Sequence, residues 1–167
     1  MFSYFANVTG GINWYDIRKS NIPNDWNQMI SFLQSSKIKT SVNIPEHIHF
    51  EGHGKDTAVP IFLTNDTFKS AAPLFPFLLD TAQYKVLLIQ GQFDFRDGVA
   101  GQHRWISEIA WSGRDGYNRA ERRVWKMRAE EVGGRELVKG YVTQFGRLRR
   151  VEVLGAGHNT PGDQAEG

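Results

Sequence analysis

The feature that most constrains this chain is the run Val86, Leu87, Leu88, Ile89, closed by Gly91 in "YKVLLIQGQFD". An apolar run without polar alternation is the pattern of a parallel strand buried on both faces, and such strands occur in sheets that helices cover from both sides. Helical patterns flank it. The stretch from Asp66 toward Ala82 predicts a helix that Pro73 and Pro76 should kink or shorten. The stretch from Val99 to Ile109 predicts another, with Trp105 and Ile109 one turn apart. Downstream, Val124–Met127, Val138–Phe145 and Leu148–Leu154 read as strands, the last two joined by a tight turn at Gly146 and Arg147. Together these elements predict an α/β chain.

The remainder is less regular. "NVTGGINWYDIRKSNIP" reads as loop. Asn24 or Asp25 can cap a short helix whose apolar face carries Trp26, Met29, Ile30 and Leu33 and which should end near Ser35. "SVNIPEHIHFEGHGKDTAV" suits an irregular stretch with one short strand, and "WSGRDGYNRAERR" reads as a long loop. With 167 residues, 40% of them hydrophobic and 13% aromatic, the chain can build one ordinary core. A formal charge of +2 is too small for a dedicated nucleic-acid binder. The absence of cysteine excludes disulfides, thiolate metal sites and a cysteine nucleophile. There is no apolar run long enough to span a membrane, and the opening "MFSYFANVTGG" does not read as a signal peptide.

Chemistry in open α/β sheets gathers beyond the carboxyl ends of strands. Two polar residues stand there. Asp94 follows the "VLLIQG" strand, and His158 follows "VEVLG", with Gly155 and Gly157 freeing the backbone around it. Singly, each is more often a loop-capping aspartate or an exposed loop histidine. In the order Asp then His they match the last two members of an α/β-hydrolase triad.

The stretches "NVTGGINWYDIRK", "YKVLLIQGQFD", "VAGQHRWISEIAWSGRDGYNRAERRVWK" and "GYVTQFGRLRRVEVLGAGHNTPGDQ" resemble successive landmarks of the serine carboxypeptidases, in particular the vitellogenic-like and retinoid-inducible branch. The resemblance covers nearly the whole chain but only the C-terminal portion of such an enzyme. It implies a partial α/β-hydrolase fold, with residues 1–83 a remainder of the lid-side insertion and 84–167 the C-terminal part of the core. It implies that His158 is the general base and Asp94 orients it. The nucleophile belongs on a G-x-S-x-G elbow, and no serine here has that context. Ser112, in "AWSGRDG", comes nearest, with Ala110 where the first glycine would stand. The isolated chain is therefore expected to lack peptidase turnover. It reads as one chain of a two-chain enzyme, as a fragment, or as a derived structural or interaction subunit.

Other departures follow from the same resemblance. Gly11 and Lys19 stand where cysteines are usual, and Asn159 where the residue after the histidine is commonly apolar, which bears on the leaving-group side of a substrate pocket. The C-terminal helix that would cover the sheet is missing, so apolar surface needs another cover, such as a partner protein. The implied substrate is a peptide, the implied compartment lysosomal or secreted, and no cofactor is implied. The sequons at Asn7 and Asn65 are candidate glycosylation sites that fit such a compartment. His47, His49 and His53, beside Glu46 and Glu51, have a spacing compatible with zinc, yet read better as polar surface, so no metal site is expected. Arg119, Arg122, Arg123 and Lys126, with Arg147, Arg149 and Arg150, read as solvated basic surface interspersed with Asp115, Glu121 and Glu130. Trp14, Trp26, Trp105, Trp111 and Trp125 read as core or lid packing.

Overall fold

The computed structural model describes residues 2–20, 26–50, 69–81, 83–129 and 133–165. The chain divides into two compact units, residues 22–70 and residues 1–21 with 71–167.

The larger unit is built on a four-stranded sheet: β1 (Val86–Gly91), β2 (Arg122–Ala129), β3 (Arg135–Phe145) and β4 (Leu148–Val153), in the order β1-β4-β3-β2. β1 and β4 are parallel, with Val86 opposite Leu148 and Gly91 opposite Val153. β4 and β3 form an antiparallel hairpin whose turn is closed by Gly146 in the left-handed region, at φ 54°. The β2–β3 ladder is antiparallel and shifts register between Trp125 and Lys126.

The four strands anticipated between Val86 and Leu154 are present, and β1 extends through Gln90 to Gly91. Its burial differs from the expectation. Leu87 and Ile89 are 54% and 51% exposed, so among the described residues only one face of β1 is covered. On that face Leu148, Val86 and Leu88 meet Ile106, Leu79 and Tyr117, with Phe75, Trp105 and Trp111 packed around them. Those partners come from three helices. α4 (Leu74–Asp80) precedes the sheet, α5 (Val99–Glu108) follows β1, and α6 (Arg114–Asn118) is a short helix in the stretch read as loop.

α4 begins after Pro73 and keeps Pro76 in its first turn, where a missing N–H costs nothing because no intrahelical acceptor exists there. The expected start at Asp66 and the Asn65 sequon lie outside the described residues. A helix also occupies part of the N-terminal stretch read as loop: α1 (Phe2–Thr9) stacks Phe5 on Phe95 with ring centroids 4.4 Å apart. It ends at Gly10, which takes the left-handed conformation (φ 72°) that a helix terminus favours. Asn7 lies exposed on α1.

The smaller unit contains α2 (Trp26–Gln34) and α3 (Ser36–Ser41). The proposed caps Asn24 and Asp25 fall outside the described residues. Glu46 accepts a hydrogen bond from the Ser36 hydroxyl at 2.6 Å, and its carbonyl accepts one from buried Lys39 at 3.0 Å. No strand forms over residues 42–50, so His47 and His49 do not line up on one strand face. His53 and Glu51 are outside the described residues. No helix among them is long and apolar enough to cross a membrane.

Candidate active site

β1 and β4 run parallel, so their carboxyl ends open at the same end of the sheet, and the two loops that leave them are joined by main-chain hydrogen bonds. The Gln92 N–H donates to the Val153 carbonyl at 2.9 Å, and the Phe93 N–H to the Ala156 carbonyl at 2.8 Å. This approach is possible because β1 ends in glycine. A Cβ at Gly91 would fall on the carbonyl oxygens of Ala156 and Gly157. Gly155, at φ 70°, turns the chain out of β4.

Asp94 and His158 are thereby brought together. His158 Nδ1 lies 2.9 Å from Asp94 Oδ2. The aspartate side chain is 1% exposed and the imidazole 40% exposed. Asp94 Oδ2 also accepts from Gln90 Nε2 at 2.8 Å, and its Oδ1 accepts the Asp97 N–H at 3.2 Å. A second carboxylate, Asp97 Oδ2, stands 3.3 Å from the same imidazole nitrogen. Both acids only accept when ionised, so Nδ1 is the nitrogen that carries the proton, and Nε2 is left basic.

The N-terminal segment holds this arrangement from the other side. The His158 N–H donates to the Tyr15 carbonyl at 2.7 Å, and the rings of the two residues lie 5.1 Å apart. Trp14 and Ile17 complete the seam, the Trp14 carbonyl accepting from the Phe95 and Arg96 N–H groups and the Ile17 N–H donating to Phe93. Arg18 grips Asp16 in a bidentate pair, at 2.8 and 2.7 Å, and donates through Nη1 to the Gly155 carbonyl at 2.7 Å. Asp163, in the short helix α7 (Thr160–Asp163), accepts the Gly157 N–H at 2.8 Å. Lys19 lies 3.2 Å from Asp16 and 3.3 Å from Asp163, so an ammonium ties the N-terminal turn to α7 at one of the positions where the resemblance implies a cysteine.

Sequence reasoning named Asp94 and His158 from strand-end logic and missed Tyr15, Asp16, Arg18, Gln90 and Asp97. Gln90 carried a signal: a polar residue inside an apolar strand must find a partner. Asn159 is exposed and stands immediately before α7 as its cap, its carbonyl accepting from the Gly162 and Asp163 N–H groups at 3.0 Å. Ser112 donates its hydroxyl to Asp80 at 2.7 Å, so its bond goes to a carboxylate rather than an imidazole. Asp94, Asp97 and His158 also form the one group among the described residues whose ligand atoms lie close enough, within 4.8 Å, to hold a metal ion.

One residue of the basic stretches differs from the solvated surface expected: Arg150 is buried, at 4% exposed. Arg122 stays exposed, lying over the Tyr141 ring at 3.4 Å and pairing with Glu152 at 3.1 Å.

The serine carboxypeptidase family model matches residues 8–167 of the chain. A serine carboxypeptidase-like protein of Arabidopsis thaliana is 34% identical over 99% of the chain, which corresponds to 35% of that protein. The probable serine carboxypeptidase CPVL of Homo sapiens is 31% identical over 97% of the chain and 32% of its own length. Among solved structures, the prohormone-processing carboxypeptidase Kex1Δp of Saccharomyces cerevisiae superposes with a TM-score of 0.73 at 24% identity, over 92% of this chain and 34% of that one. The chain thus spans about a third of the length of these relatives. Its mixed sheet with flanking helices is a partial α/β-hydrolase fold.

Proposed function

The chain belongs to the serine carboxypeptidase family, and from that premise we propose that it supplies the aspartate and histidine of a Ser–Asp–His hydrolase that removes C-terminal residues from peptides. The serine and oxyanion hole come from polypeptide outside this sequence. The observation that carries the reading is the 2.9 Å contact between exposed His158 and buried Asp94 at adjacent strand ends.

The chemistry follows from that contact. Asp94 holds the imidazole with Nδ1 protonated, so Nε2 can take the proton of a serine hydroxyl as the oxygen attacks the scissile carbonyl. The buried carboxylate then stabilises the imidazolium. His158 returns the proton to the leaving amine, and repeats the exchange with water as the acyl group is released. Neither residue turns over substrate alone, because nucleophile and oxyanion donors are separate groups. The exposed apolar face around Leu87 and Ile89 fits the completing polypeptide as its partner. Passage through a secretory or lysosomal compartment fits the family resemblance, and Asn7 is exposed as a glycosylation acceptor must be.

The test is a native pull-down of the chain from its source after treatment with a fluorophosphonate serine-hydrolase probe. The expected result is a co-purifying, labelled polypeptide bearing a serine elbow, whose labelling disappears when the chain carries His158→Ala. A stable but unlabelled partner would overturn the catalytic reading and leave a structural or binding subunit.

A further inference from the structure

A buried arginine stands at the far end of a line of hydrogen bonds that reaches the imidazole. Arg150, in the middle of β4, donates through Nε to Gln102 Oε1 at 2.8 Å and through Nη2 to the Val99 carbonyl at 3.1 Å. Gln102, on α5, donates through Nε2 to Gln90 Oε1 at 3.2 Å. Gln90 in turn donates through Nε2 to Asp94 Oδ2 at 2.8 Å, and that same oxygen faces His158 Nδ1. Arg150, Gln90 and Asp94 are 4%, 7% and 5% exposed, so the line runs mostly where solvent cannot replace a lost partner.

We propose that Arg150 is a positioning residue for the Asp94–His158 pair, acting through Gln102 and Gln90. The reasoning is one of direction. A guanidinium has donors and no acceptor, so Gln102 must turn its oxygen toward it. The amide nitrogen of Gln102 is then the end that faces Gln90, which must offer its own oxygen. That leaves the Gln90 nitrogen facing Asp94, where it holds Oδ2 in place beside the imidazole. Reversing either amide sets two donors or two acceptors against each other, which is costly for a buried group. The line therefore has one low-energy polarity, set at the end remote from the reaction. With Oδ1 held by the Asp97 N–H, the carboxylate plane is fixed, and so is its aim at Nδ1. Arg150 is itself compensated rather than a stray charge, since Glu152 lies 3.7 Å from its Nη1 and also pairs with Arg122. β-strand register makes the arrangement possible: Leu88 pairs with Arg150 and Gln90 with Glu152 across the parallel β1–β4 ladder, on the face that α5 covers.

The proposal rests on the triad reading for its purpose, but its test needs no turnover. In the full chain, labelled with nitrogen-15 in histidine, NMR at about pH 8.5, where an ordinary imidazole is neutral, should show His158 protonated at Nδ1 with a proton slow to exchange. Gln102→Glu keeps an acceptor for Arg150 but removes the donor to Gln90. It should speed exchange of the Nδ1 proton several-fold and raise the share of the Nε2–H form. Arg150→Gln, which permits either amide direction, should do the same. Ile106→Val, a packing change on the same face, should leave the His158 signals where they were. If Arg150→Gln does not fold, Gln102→Glu decides alone. His158 signals unchanged in folded Gln102→Glu, or shifted equally by Ile106→Val, would overturn the proposal. Absent probe labelling in a completed enzyme whose His158 signals still respond to Gln102→Glu would instead overturn the triad reading.

Discussion

The carboxyl of Asp16 is held well below the usual carboxylate range, first by its hydrogen bonds from the Arg18 side chain and then, against the opposing effect of burial, by the Arg18 N–H and the Lys19 ammonium. A carboxylate whose folded-state pKa is lowered contributes stability that is fully present above its unfolded value, about 3.9, and is lost as pH falls toward the folded one. Melting curves should therefore show the chain losing stability from about pH 4 downward, through titration of Asp16 among other acids. Asp16→Asn should cost about 1.5–3 kcal/mol at neutral pH, the range for charge-assisted hydrogen bonds, and should flatten the acid limb. An acid limb as steep in the variant as in the parent would show that Asp16 does not contribute. None of this was legible in "NWYDIRK", which reads as loop. The bond from Arg18 to Gly155 spans 137 positions, and local pattern carries no information at that range. Asp94 and His158 were legible because position relative to a buried strand is itself a local signal. The acid that steadies the histidine loop from outside has no such marker.

At the scale of the element, β1 and β4 show where pattern reading succeeds and where it stops. The apolar run of β1 located the strand and gave the α/β class, but a continuous run cannot say whether both faces are covered by the same polypeptide. Arg149 and Arg150 look alike in sequence, yet alternation in β4 sends one out, where its Nε donates to Gln144 Oε1 at 2.8 Å, and the other into the covered face. The same alternation makes a sharp energetic contrast. Leu148, 1% exposed, sits in the core cluster, and Leu148→Ala should cost about 2–5 kcal/mol. Leu87, 54% exposed on the opposite face of the neighbouring strand, should lose less than about 1 kcal/mol when truncated. Urea unfolding of the two variants checks this. Comparable losses would mean that the outer face of β1 is covered in solution by something already present.

For the larger unit as a whole, that outer face is the outstanding structural fact. Leu87, Ile89, Trp125, Val142 and Val151 line a groove of about 550 Å³ on the side of the sheet away from α5, and β1 is an edge strand with its second side unpaired among the described residues. An apolar face beside a free edge is a surface that associates with whatever matches it, and natural folds normally cover or charge such edges. Spanning about a third of its relatives' length, the chain has the part of the sheet that places Asp94 and His158, and not the G-x-S-x-G elbow that would answer them. Under the proposed function, the groove and the edge would be the physical reason for a completing polypeptide to bind. Expressed alone, the chain should bind an apolar dye such as ANS and should self-associate with rising concentration in sedimentation experiments. Ile89→Lys should reduce both. It should leave urea stability within about 1 kcal/mol of the parent, since Ile89 is already half exposed and a lysine there is solvated. If the proposed function holds, the same substitution should weaken capture of the proposed serine-bearing partner while leaving the Nδ1 proton of His158 in place, because the substituted side chain lies on the opposite face from Gln90 and Arg150. A chain that stays monomeric, binds no dye and captures the proposed partner equally well with Ile89→Lys would remove this face from the proposal.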